Sequence, residues 1–185
     1  MNCRPIPESR ISLQNDTPMN GAGKYVLYWM TANRRTRYNF ALQHAVNMAN
    51  RLKKPLLVFE ALRCHYRWAS LRTHAFLLQS MQETARAVGK SKATYCGYVE
   101  PRANHGAGVL EELAKSACVV ISDDYPCFFY PAMYKSVTGK LRCRFELVDS
   151  STFVPMRSNE RLFTVAHSFR RHLQKRVVAQ FPEFP

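Results

Sequence analysis

Five short apolar runs, each separated from the next by a stretch with helical spacing, leave this chain very few folds to choose from. The runs fall at 25–30, 55–61, 93–98, 118–122 and 144–148. Between them, apolar residues recur every three or four positions. Tyr38, Ala41, Ala45, Met48 and Leu52 share one face of a first helix. Leu71, Ala75, Leu78, Met81, Ala85 and Val88 share one face of a second, which stops at Gly89. A short third helix carries Val109, Leu110 and Leu113, and a fourth carries Tyr130, Met133, Val137 and Leu141. Parallel neighbours need crossover connections, so this alternation predicts an α/β fold with helices on both faces of a sheet. Right-handed crossovers favour a Rossmann-like, doubly wound, five-stranded parallel sheet of order 3-2-1-4-5.

Residues 1–23 are polar and rich in proline and glycine, and are expected to form a mobile N-terminal arm. The α/β domain is expected over 24–156. Residues 157–185 are expected to form a basic helix and the start of an interdomain linker, with Ala166, Phe169, Leu173 and Val177 on the helix's apolar stripe and Arg170, Arg171, Lys175 and Arg176 mostly off it.

Charge narrows the partners. The formal net charge is +14, of which residues 31–74 supply +8 and residues 157–176 supply +5. Two basic regions on an otherwise balanced chain fit either a polyanion such as nucleic acid, a phosphate-bearing cofactor, or plain solubility. The six cysteines show no zinc-binding spacing and several lie in apolar runs, which predicts reduced thiols in a cytoplasmic protein. No run reaches membrane-spanning length. Dinucleotide binding of the glycine-rich kind needs its glycines after the first strand, and here Gly21 and Gly23 precede it. Neither a hydrolytic triad nor a metal-ligand spacing stands out.

In an open parallel sheet, ligands bind where the strand order reverses. That point lies between the first and fourth strands, where the loops 31–37 and 123–127 meet. Trp29 and Met30 end the first strand, where a flat ring could stack on them, or where they could pack into the core. Arg34 and Arg35 could hold a phosphate by paired hydrogen bonds, or lie in solvent. Asp123, Asp124 and Tyr125 follow the fourth strand. The two acids could bind a cation or a ligand hydroxyl, or serve as turn and cap residues.

The opening Tyr28, Trp29, Met30, Arg35, Asn39, Ala41 and Leu42 resembles that of class II DNA photolyases. Lys54-Pro55-Leu56-Leu57-Val58-Phe59 looks like that family's second strand. Arg72, His74 and Phe76 look like a conserved helix of it, and Val148-Asp149 with Val154-Pro155 like its fifth strand and following turn. The segment from Phe163 to Leu173 departs from the family's usual pattern, which suggests a divergent branch. The resemblance implies an N-terminal antenna domain that holds a light-harvesting chromophore of the 8-hydroxydeazaflavin type. It adds Asn39 to the residues expected around that chromophore. It also implies a helical FAD domain as partner, which would lie beyond Pro185 and would receive a flipped pyrimidine dimer from UV-damaged DNA. No catalytic residue is therefore assigned in this chain. The alternatives are a free-standing chromophore- or nucleotide-binding module and a truncated, non-functional fragment.

Overall fold

The computed structural model describes residues 4–158 and 162–182. Parts of the expected arm (1–3) and of the expected basic helix and linker (159–161 and 183–185) therefore lie outside the described residues. The strands are β1 (Ile11–Leu13), β2 (Tyr25–Met30), β3 (Leu56–Leu62), β4 (Thr94–Val99), β5 (Ala117–Asp123) and β6 (Arg144–Val148). The helices are α1 (Phe40–Leu52), α2 (Leu71–Val88), α3 (Val109–Ala114), α4 (Tyr130–Thr138) and α5 (Ala166–Gln180). They form one sheet of order β1-β6-β5-β2-β3-β4.

The five parallel strands β2 to β6 thus take the order read from the sequence. The count needs correcting to six, because β1 adds an antiparallel edge with Ile11 opposite Val148. Part of the stretch expected as an arm is woven into the sheet. Just before β1, Arg10 is 1% exposed and lies 4.1 Å from the centre of the Phe40 ring. Its guanidinium donates to the carbonyls of Asp149, Thr152 and Phe153, at 3.3, 2.9 and 2.8 Å.

Side-chain alternation along β2 builds the two cores. Val26, Tyr28 and Met30 face α1 and pack with Ala41, Ala45 and Met48. Leu27 and Trp29 face the other way and pack with Leu110, Tyr134 and Val137 of α3 and α4. Every residue of β5 is buried, as a central strand requires. Asn39 caps α1 by accepting from Leu42 N–H at 3.0 Å, and Ser70 caps α2 by accepting from Thr73 N–H at 3.1 Å. Helix α2 buries only Met81, Thr84 and Val88, and α5 buries none of its residues.

Gly23 sits where β2 enters the sheet. A Cβ there would lie 2.4 Å from the Cys118 main-chain nitrogen, so backbone would have to move. Gly23→Ala is expected to destabilise by about 1–3 kcal/mol through overpacking. Gly21→Ala, with open space around it, is the control. Urea titration of the two variants checks the contrast.

Glu146 on β6 gives the fold an acid-sensitive tie. Burial pushes its carboxyl up, but hydrogen bonds from His44 Nε2 at 2.7 Å and Arg144 Nε at 2.5 Å outweigh it and hold the group below its ordinary 4.5. A carboxyl lowered by folding contributes stability above its unfolded pKa and loses it as pH falls through the folded value. The melting temperature is therefore expected to fall as pH drops below about 4.5. Glu146→Gln should flatten part of that slope in calorimetric scans.

Candidate functional site

The loop after β2 contains no glycine, yet it turns tightly enough for three successive amides to converge on one oxygen. Thr31, Ala32 and Asn33 N–H donate to Asp123 Oδ2 at 2.8, 2.8 and 3.0 Å. The other oxygen, Oδ1, accepts from the Tyr28 hydroxyl at 2.8 Å. Asp123 is fully buried. Converging amides of this kind are an anion-binding concavity, and here the chain's own carboxylate fills it. Burial and the neighbouring Asp123 charge raise the Tyr28 hydroxyl well above its ordinary pKa, so it stays protonated and donates.

The other residues anticipated at the switch point are likewise tied into the fold. Arg34 donates through Nη1 to Glu60 Oε1 at 3.2 Å, through Nη2 to the Ala61 carbonyl at 2.6 Å, and through Nε to the Thr31 carbonyl at 3.1 Å. Burial raises the Glu60 carboxyl, and Tyr95 and Arg34 pull it partly back down by hydrogen bonding and charge. Asn39 Nδ2 donates to the Tyr28 hydroxyl and to the carbonyls of Asn33 and Arg35. Arg35 is exposed and donates to the Tyr38 and Ser150 carbonyls. Asp124 pairs with Arg157 at 3.1 Å, while burial raises its carboxyl against that partner. Met30 is fully buried against α1. Among the described residues, no group of three His, Cys, Asp or Glu side chains could hold a metal ion.

Trp29 is placed differently. Its ring forms a common wall between two lobes of a crevice at the carboxyl edge of β2, β3 and β4, each of about 280 Å³. Ala61, Leu62, Arg63 and Met133 also line both lobes. The first lobe is closed by Thr31, Tyr66, Phe129 and Tyr130, the second by Phe59, Tyr98, Glu100 and Val109. Tyr134 supports Trp29 edge-on, with ring centres 5.9 Å apart. Its hydroxyl, kept protonated chiefly by burial, lies 2.9 Å from Thr31 Oγ1. Glu100 accepts from Cys64 N–H at 2.9 Å and from Gly106 N–H at 3.2 Å. Against the pull of burial, those bonds hold its carboxyl below the ordinary range.

Larger hollows, of about 450, 550 and 510 Å³, lie beside His44 and Asn47, between α5 and residues 152–158, and between Asp124, Tyr125 and α4. The third lies after β5, and none of them is lined by a residue of β2 or of the loop that follows it. The crevice around Trp29 is the candidate site, because it joins the ligand-binding edge of an open parallel sheet to a mostly apolar, aromatic lining. Of the anticipated residues, the structure brings Trp29, Met30 and Arg34 to its wall, ties Arg35, Asn39 and Asp123 to the loop after β2 or its neighbours, and places Asp124 and Tyr125 on the separate hollow beside α4. Sequence reasoning missed Arg63, Tyr66 and Met133. Arg63 and Tyr66 directly follow β3, and a loop leaving a strand beside the switch point was the available signal.

A shape this general suits many ligands, so similarity to known proteins carries weight. The family model for DNA photolyase matches residues 26–185. A deoxyribodipyrimidine photo-lyase of Methanothermobacter thermautotrophicus is 26% identical over an alignment of 178 residues that covers 94% of this chain. The chain spans 39% of that relative's length. The match begins at the second residue of β2 and runs through the whole parallel sheet and α5, so it takes in the crevice and the Asp123 tie together: the chain belongs to the DNA photolyase family.

Proposed function

We propose that this chain is the chromophore-binding N-terminal unit of a photolyase-type protein of light-dependent DNA repair, nearest the class II enzymes. The observation that carries the reading is the two-lobed aromatic crevice at the carboxyl edge of β2, β3 and β4 in a photolyase-family sheet. A flat tricycle of the 8-hydroxydeazaflavin type suits it. Bound there, such a ring would absorb light and pass the excitation on.

The chain's own residues bind and orient. Trp29 offers the flat wall, and Tyr66 and Tyr130 close the sides. Arg63, exposed at the junction of the lobes, supplies a cation for an ionised ring hydroxyl. Arg34, engaged by Glu60, keeps the floor rigid. Phe129 and Met133 keep water from the ring. FAD and the damaged DNA would be held by a helical domain, as the resemblance to class II enzymes implies.

Titrating 8-hydroxy-5-deazaflavin into the chain tests the reading. Saturable one-to-one binding is expected, and Ala61→Trp, which fills both lobes, should weaken it at least about tenfold by displacing a ring-sized contact area. Binding that ignores Ala61→Trp would refute the crevice as the site.

A further inference from the structure

The rim outside the crevice has a composition of its own. Trp68, Phe128 and Tyr38 are 57, 68 and 69% exposed, far beyond what single large rings usually show on a surface. Two of them touch, with Trp68 and Phe128 edge-to-face at 5.8 Å. Phe128 in turn lies parallel to Tyr125, at 6.3 Å and 4°. Arg67 sits over the Trp68 ring at 5.4 Å.

The charges around these rings have one sign. Residues 31–39 carry Arg34, Arg35 and Arg37 with no acid, and residues 61–76 carry Arg63, Arg67 and Arg72 with no acid. All of these but Arg34 are exposed. The carboxylates of the same edge, Glu60, Glu100, Asp123 and Asp124, are buried, and each is engaged by the chain's own donors. The stretches 31–39 and 61–76 thus carry no acid to repel a polyanion, while five exposed arginines attract one, and Glu111 at the far lobe is paired with Lys140 at 3.5 Å.

We infer that this rim is a binding surface for an unpaired nucleic-acid strand, with bases stacking on Trp68 and Phe128 and phosphates meeting Arg63, Arg67 and Arg72. Exposed rings beside cations are how single strands are held without sequence preference. A duplex keeps its bases stacked on one another and offers these rings nothing. A purely electrostatic surface would need no exposed rings, and a purely apolar docking face would not concentrate five arginines. The surface lies on this domain and shares one residue, Arg63, with the crevice.

The test uses the whole 185-residue chain and a fluorescent oligothymidylate, with a duplex of equal length as comparison. Oligothymidylate should bind more tightly than the duplex. With three arginine–phosphate contacts, log affinity should fall against log salt with a slope of about −2. Trp68→Ala should weaken binding about tenfold through lost stacking. Because Trp68 is exposed, its removal leaves the fold intact, which far-ultraviolet circular dichroism verifies. The double variant Arg67→Gln, Arg72→Gln should bring the slope towards about −0.7. A duplex bound as tightly as the single strand, or a Trp68→Ala chain that binds like the parent, overturns the inference. So does an affinity indifferent to salt.

Discussion

Asp123→Ala should unfold a large share of the molecules at temperatures where the parent is intact. The substitution leaves Thr31, Ala32 and Asn33 N–H without their acceptor and deprives the Tyr28 hydroxyl of its own. Thr31, Asn33 and Tyr28 are buried, so water replaces the lost partner poorly. An unsatisfied buried donor costs about 1–3 kcal/mol, and five, the Thr31 hydroxyl at 3.3 Å included, share one carboxylate here, so a non-additive loss of about 3–5 kcal/mol is expected. That is a large fraction of the 5–15 kcal/mol by which such a domain is typically stable. Asp123→Asn separates charge from hydrogen bonding. Its oxygen can still face the three amides, but its NH₂ group faces the Tyr28 hydroxyl, which already accepts from Asn39. About 1–2 kcal/mol should be lost. Urea denaturation of both variants reads the difference, and equal stability of Asp123→Ala and the parent would show that the carboxylate does not hold the loop.

Arg10→Ala should destabilise by about 3 kcal/mol, although the residue lies in a stretch that reads as an arm. Its guanidinium holds three carbonyls of the loop after β6 and covers the Phe40 ring that begins α1. The same loop is held from within by Asp149, whose carboxylate accepts from Ser151, Thr152 and Met156 N–H. With the Arg10 side chain removed, the loop keeps the Asp149 carboxylate bonds and the main-chain bond from Asp149 N–H to the residue 10 carbonyl, but loses the guanidinium that ties its later carbonyls down. Arg10→Lys should recover only part of the loss, because one ammonium cannot reproduce the planar fork that meets separate carbonyls. Hydrogen exchange in residues 149–156 should speed up in both variants, most in Arg10→Ala.

The parallel sheet was legible because its signal is local. The runs 25–30 and, but for Ser122, 118–122 are apolar, as strands buried on both faces read, and α1 announces itself by its period and by Asn39 as cap. Strand β1 was not legible. It is three residues long, Ile11–Leu13, and its partner β6 lies more than 130 residues away, so no local pattern encodes the pairing. The candidate site was legible in place but not in role. An Asp at a strand end reads the same whether it faces a ligand or the chain's own amides, and only the loop geometry decides for Asp123. Glu60 carried a signal that could have been used. An acid inside the apolar run 55–61 must find a donor, and a basic loop one strand away offered Arg34.

Trp29 reports directly on what the crevice holds. The chain has two tryptophans, so Trp68→Phe leaves Trp29 as the sole indole, set in the wall shared by both lobes. The measurement is the emission of Trp29 in that variant as 8-hydroxy-5-deazaflavin is added. A ring bound in contact with it should quench the emission almost completely at one equivalent, with matching sensitised emission from the ring. Saturable binding that leaves Trp29 emission unchanged would put the chromophore elsewhere and contradict the account.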